Sequence, residues 1–319
     1  MTLDRRNFLH LSAAAFGAAA LPLPALAKAP LQGKQAPAFY RFAVGGFEVT
    51  ALNDGVFDLD SVYYANADKA EAGQLLEAAH RPAAKVPTAV NAFAVNTGNA
   101  LVLIDTGAAN AFGPTNGRLP ITIAAAGIDP ANVDTVFLTH MHPDHVAGLV
   151  SADGKAAFAN AEIVVTEKEF AFWHDDAILA QAPAEVRPFF ATARNSVKPY
   201  AGRIRKISGG DIVPGLTALP APGHTPGHTM VQVSSGDAGL LVWGDIVHTA
   251  ALQFARPEWA IRFDVDQDAA IASRKAAFDR AASDRMMVAG MHLDFPGVGF
   301  VSRAKSGYDY HPAFWSPTL

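Results

Sequence analysis

The stretch Asp134-Thr135-Val136-Phe137-Leu138-Thr139-His140-Met141-His142-Pro143-Asp144-His145 decides how this chain is read. Its first half is apolar and β-branched, the composition of a buried strand. Its second half packs four metal-capable side chains into six residues. In an extended segment, residues i and i+2 share a face, so His140 and His142 can grip one ion together. Pro143 suits the first turn of a helix and would swing Asp144 and His145 toward a different point. The spacing therefore suggests two adjacent ions rather than one. With only 11 histidines in the chain, chance placement of this pattern is roughly 1 in 1,000, against the alternative of a solvated polar loop.

Three later segments complete the set. Pro222-Gly223-His224-Thr225-Pro226-Gly227-His228 is a turn-rich loop, Trp243-Gly244-Asp245 puts a carboxylate after an apolar run, and Gly290-Met291-His292 does the same with an imidazole. Each ends a run that reads as a strand, where α/β sheets collect their site residues. Strands are expected at Phe47–Leu52 and Ala100–Asp105, closed by turns at Asn53-Asp54-Gly55 and Thr106-Gly107. Others are expected at Asp134–Thr139, Glu162–Thr166, Met230–Val233, Leu240–Trp243 and Arg285–Ala289. Helices are expected over 117–126, 167–175, 185–195 and 267–282, the last placing Ala270, Ile271, Arg274, Ala277 and Phe278 at helical spacing with only the arginine polar. Strands interleaved with helices point to a layered α/β domain.

Composition narrows the chemistry. Half of the 319 residues are hydrophobic and 17% are charged, enough for a sizeable core. A net charge of −5 argues against a nucleic-acid partner. No cysteine is present, which excludes disulfides, thiolate metal sites and a cysteine nucleophile. Any metal must be held by nitrogen and oxygen. Arg5-Arg6 precede a mostly apolar run ending in Ala25-Leu26-Ala27, a pattern similar to a twin-arginine signal with an A-x-A cleavage site. Residues 1–27 are thus expected to engage the twin-arginine export machinery and be removed, leaving a periplasmic or secreted protein with no membrane span. A flexible leader over 28–38 and a single catalytic domain over 39–319 would follow.

The series H-x-H-x-D-H, P-G-H-T, G-D and a late histidine resembles the ligand set of the metallo-β-lactamase superfamily. Segments 95–119, 138–149, 223–229, 274–278 and 295–299 resemble its methyl parathion hydrolase group in particular. The resemblance implies a four-layer αβ/βα sandwich. It implies one ion on His140, His142 and His224, and a second on Asp144, His145 and His292, with Asp245 bridging. It also places Phe112, Trp173 and Phe189 as walls of an apolar pocket, puts His228 outside the ligand set, and allows a homodimer. His248 stands where an aliphatic is expected and reads as a supporting or packing histidine. Segments 60–70 and 256–264 depart from the group and are expected to flank the pocket mouth.

Five imidazoles and two carboxylates suit two divalent ions, zinc first, with manganese, cobalt or iron as alternatives. Two such ions, Asp144, Asp245 and a bridging hydroxide sum to about +1, which favours a neutral substrate gaining negative charge. Without metal, the two aspartates would repel each other, so a strained or protonated pair is expected. The expected substrates are neutral aryl phosphotriesters, with aryl esters or lactones in addition. The alternative is an acyl-homoserine lactonase or arylesterase with little phosphotriesterase activity. A di-iron redox module is a different class; it typically carries glutamate where His142 stands. A non-catalytic metal binder is another.

Overall fold

Strand after strand in this chain is apolar on both faces, and that pattern sorts the side chains into separate cores. The computed structural model describes residues 29–64 and 66–319; the expected signal over 1–27 lies outside them. Residues 29–38 carry no regular secondary structure, and Pro37–Leu319 form one compact unit.

The first sheet runs in chain order: β1 (Phe39–Val44), β2 (Phe47–Asp60), β3 (Lys85–Asn96), β4 (Leu101–Ile104), β5 (Thr135–Phe137), β6 (Glu162–Thr166) and β7 (Ile204–Ile207). It is antiparallel from β1 to β4 and parallel from β4 to β7. The second sheet holds β8 (Gly210–Val213), β9 (Leu216–Pro220), β10 (Thr229–Ser235), β11 (Ala238–Val242), β12 (Met287–Ala289), β13 (Val298–Arg303) and β14 (Tyr308–Pro312), again neighbour to neighbour. Only β11 and β12 pair in parallel there.

Alternation assigns the faces. Phe93, Val95, Val102, Ile104 and Val164 point into one core together with Val231, Val233, Leu240 and Val242, so the two sheets face each other. Ala92, Ala94, Leu103 and Ile163 point the other way, onto α2 (Leu119–Ala125), α4 (Glu167–His174) and α6 (Arg187–Val197). Leu241, Trp243 and Val288 pack against α8 (Gln267–Asp284). The result is the expected helix–sheet–sheet–helix sandwich, and these helices match the four expected ones. α1 (Lys69–Ala78) precedes them, and the single turn α3 (Pro143–Val146), α5 (Asp176–Gln181) and α7 (Ala250–Gln253) lie between them in the chain.

One turn was misread. Asn53-Asp54-Gly55 does not end β2; it is a bulge, with a register shift against β3, inside one 14-residue strand. The Asp54 carboxylate accepts from the N–H groups of Ala108, Gly117 and Leu119, so it braces the loop after β4 instead of closing a hairpin. Arg274 is buried on α8, donating to the carbonyls of Ile246, Pro257 and Trp259. Among the described residues, no helix is long and apolar enough to cross a membrane.

Candidate metal centre

Strand direction brings four loops to one edge. β9 and β11 are both antiparallel to β10, and β12 runs parallel to β11, so the segments after β9, β11 and β12 emerge together. They carry His224, Asp245 and His292, and the segment after β5 brings His140–His145 against them. Pro143 does open a helical turn, with His142 at its N-cap, so the expected change of direction occurs between His142 and Asp144.

All seven side chains are buried. His142 Nδ1 lies 3.0 Å from His140 Nε2 and 2.9 Å from His224 Nε2. His145 Nε2 lies 3.5 Å from Asp144 Oδ2, and His292 Nε2 is 3.4 Å from the same oxygen. Asp245 stands between these groups. Its Oδ2 is 3.3 Å from His224 Nε2 and 3.1 Å from His292 Nε2, and its Oδ1 is 3.2 Å from His145 Nε2. Two sets of ligand atoms result: His140, His142, His224 and Asp245, and Asp144, His145, Asp245 and His292, each set mutually within 4.8 Å.

These residues fit metal ions better than one another. His145 Nε2 and Asp245 Oδ1 are buried and, though 3.2 Å apart, make no directed hydrogen bond to each other or to any other group among the described residues, a costly state for polar atoms unless something else takes them up. The outward nitrogens are engaged: His145 Nδ1 with Asp105 Oδ2 at 2.7 Å, His224 Nδ1 with Asp264 Oδ1 at 2.8 Å, and His292 Nδ1 with the Ala89 carbonyl at 2.8 Å. Such outer partners fix the ring and tautomer of a ligating histidine.

The charges settle differently from the expected strained or protonated aspartates. Burial favours the neutral carboxyl, but His145 and His292 beside Asp144 and Asp245 outweigh it and hold both carboxyls below their ordinary range. The imidazoles take up protons instead. Burial opposes charge on His224, yet its bonds to Asp245 and Asp264 raise it to about 9. His145 and His292 are raised for the same reason, chiefly by Asp245. His140 and His142 go the other way: burial and neighbouring imidazoles push them down, leaving each ring neutral with one nitrogen lone pair to offer.

His228 lies outside both sets. Its Nε2 accepts from the Asp245 N–H at 2.9 Å and its Nδ1 donates to the Ala221 carbonyl at 3.0 Å. Gly244, at φ +58°, lets this happen, since a Cβ there would sit 2.5 Å from His228 Nε2. His248 places Nε2 at 3.2 Å from Asp245 Oδ2, and its ring stacks on His292 with centroids 5.1 Å apart.

A cavity of about 600 Å³ opens onto the centre. Phe112 and Phe189 line it as expected, joined by Phe57, whose ring centroid is 5.2 Å from that of Phe112. Trp173 does not line it, which corrects the expectation. Its buried ring packs behind His142 at 5.3 Å, because its indole N–H is drawn to Glu169 Oε1 at 2.6 Å. The two departing segments do flank the mouth. Tyr63 and Phe263 both line the cavity, with centroids 5.0 Å apart. A second cleft, bordered by Arg41, Glu48 and Asp134, lies beyond the opposite strand ends and has no such ligand cluster.

Glu169 was missed by the sequence reading. Its buried carboxylate accepts from Met141 N–H, Trp173 Nε1, Thr225 Oγ1 and Gly227 N–H, tying the His140–His145 segment to the His224 loop. Nothing in the sequence around it signals this. Leaving buried donors unsatisfied costs ~1–3 kcal/mol each, so Glu169→Ala is expected to destabilise by several kcal/mol, read from the denaturant midpoint. Bound metal should fall with it, the His140/His142/His224 ion first; a cobalt-loaded variant with an unaltered absorption spectrum would contradict this. Asp105 and Asp264 were missed as well. Asp105 did carry a signal: it ends an apolar strand just as Asp245 does.

Residues 86–292 match the model of the metallo-beta-lactamase superfamily, well over half of the chain, and the chain belongs to that superfamily. It is a metal-dependent hydrolase in class. Among solved structures, it is similar to the hydrolase AbOPH of the beta lactamase superfamily, with 33% identity and a TM-score of 0.84 over 89% of this chain and 100% of that one. It is also similar to AidC, a dizinc quorum-quenching lactonase in complex with a product N-hexanoyl-L-homoserine, with 27% identity and a TM-score of 0.82 over 88% and 99%. An N-acyl homoserine lactonase of Bacillus cereus is 26% identical over 127 residues, 39% of this chain and 42% of that protein.

Proposed function

We propose that this chain hydrolyses neutral cyclic and open carboxylic esters, with N-acyl homoserine lactones as its principal substrate class. The observation that carries this reading is the cavity: about 600 Å³, walled by Phe57, Phe112 and Phe189, and open at its floor to Asp144, Asp245 and His292. That volume suits a small ligand with an apolar chain. We rank lactones ahead of the aryl phosphotriesters that the methyl parathion hydrolase resemblance puts first, and similarity to two lactonases supports that order. The aromatic wall still favours an aryl phosphotriester as a second substrate, since rings gain ~0.5–1.5 kcal/mol from stacking beyond burial.

His140, His142 and His224 would hold one ion, Asp144, His145 and His292 the other, and Asp245 both. Two divalent ions there supply Lewis acidity and lower the pKa of water toward ~7. The chain's own contribution is placement. Asp105 and Asp264 engage the Nδ1 atoms of His145 and His224, so each Nε2 faces the centre. His228 fixes the backbone of Asp245, and the phenylalanine wall limits water beside the reacting carbonyl. We also propose that Arg5-Arg6 direct export, so that the enzyme works in the periplasm or outside the cell.

Metal-loaded protein should open N-hexanoyl homoserine lactone with kcat/KM at least about tenfold above that for an aryl phosphotriester of the paraoxon type or an aryl acetate, followed by pH-stat and chromophore release. Phosphotriester turnover without lactone turnover would overturn the order proposed.

A further inference from the structure

The mouth of the cavity is built and not merely open. The segment around Tyr63 and the loop after α7 are clasped together: Arg262 N–H donates to the Tyr63 carbonyl at 2.8 Å, Ala260 N–H donates to Asn66 Oδ1 at 2.9 Å, and Asn66 Nδ2 donates to the Glu258 carbonyl at 2.7 Å. Two residues beyond Arg262, Asp264 accepts from Ile261 N–H through one oxygen and holds His224 Nδ1 through the other. The backbone of Arg262 is therefore fixed in register with the metal centre.

Its side chain is left free. Arg262 is exposed, is the one Lys or Arg among the residues lining the cavity, and among the described residues makes no side-chain hydrogen bond or ion pair. The neighbouring Arg256, by contrast, is paired with Glu71. Asp58 and Glu185 line the same mouth, which disfavours a further carboxylate or phosphate on the substrate. A neutral carbonyl oxygen meets a guanidinium without adding charge, and Arg presents its donors as a planar fork.

We propose that Arg262 is a specificity residue that receives an amide carbonyl carried by the substrate outside the scissile ester. The inference rests on the lactone reading above and sharpens it: the enzyme selects lactones bearing an acylamino group over lactones bearing a plain alkyl chain. Arg262 takes no part in bond breaking.

The test compares N-hexanoyl homoserine lactone with γ-nonalactone, which keeps the ring and an alkyl chain but has no amide. Metal-loaded wild type, Arg262→Ala and Arg262→Lys are assayed, with metal content measured on each. One hydrogen bond from a charged donor at a wet rim is worth about tenfold. The ratio of kcat/KM values, acylamino over alkyl lactone, should fall about tenfold in Arg262→Ala, mainly through KM. Arg262→Lys, which keeps the charge and loses the fork, should recover part of it. A purely structural role would lower both substrates together and leave the ratio within about twofold, which overturns the inference while leaving the lactone reading standing. If metal-loaded wild type opens neither lactone, that reading falls and this inference falls with it.

Discussion

Asp245→Asn is expected to lower kcat/KM by about 10³-fold or more, because this one carboxylate belongs to both ligand sets. A bound ion contributes several kcal/mol of transition-state stabilisation, and each ~1.36 kcal/mol is a factor of ten in rate. The amide keeps the shape and removes the charge. His145, His224 and His292 then lose the anion that attracts each of them. The expected pattern is a collapse in kcat with less change in KM, accompanied by loss of bound metal. Kinetics and metal content on the same preparation check it; activity within tenfold of wild type would show that Asp245 does not join the two sets.

Stripping the metal is expected to cost the fold heavily as well. An ion present at 100 times its dissociation constant stabilises by ~2.7 kcal/mol, so two contribute ~5 kcal/mol. In a domain of this size that corresponds to a Tm lower by on the order of 10 °C after chelation. The stripped protein should also acquire a pH slope. His224 has an ordinary value of 6.5 that folding raises to about 9, so the folded state binds its proton more tightly than the unfolded chain does. That stabilisation is complete below about pH 6.5 and is lost as pH rises through about 9. Chelated protein should therefore melt progressively lower between pH 6.5 and 9 from this source. Metal-loaded protein should lack that component, since an ion occupies the nitrogen in place of the proton, and loading should release protons into weakly buffered solution. A stripped protein that gains stability with rising pH over this interval would contradict the assignment.

The metal-capable side chains were legible because each sits at the end of a short apolar strand, and strand ends converge along one edge when two sheets pack face to face. His140 through His145, Asp245 and His292 all follow that rule. Residues whose work is done through long-range hydrogen bonds were not legible. Glu169 sits in the first turn of α4, where an acidic residue is ordinary, and only the fold brings Met141, Thr225 and Gly227 to its two oxygens. Asp54 carries the strongest local turn signal in its region, yet three distant N–H groups outcompete the turn and leave a bulge. Trp173 shows the converse limit. Its position next to the site was right, but one hydrogen bond to Glu169 turns its ring to the back of His142 instead of into the cavity. The pocket mouth, from Tyr63 to Phe263, could be located by its departure from the family pattern but not given a shape.

Elemental analysis of protein matured in the presence of metal tests the centre most directly. Two divalent ions per polypeptide are expected, falling to one or fewer in Asp245→Asn. At most one ion in the wild-type protein, with both ligand sets intact, would contradict the dinuclear site on which the chemistry depends.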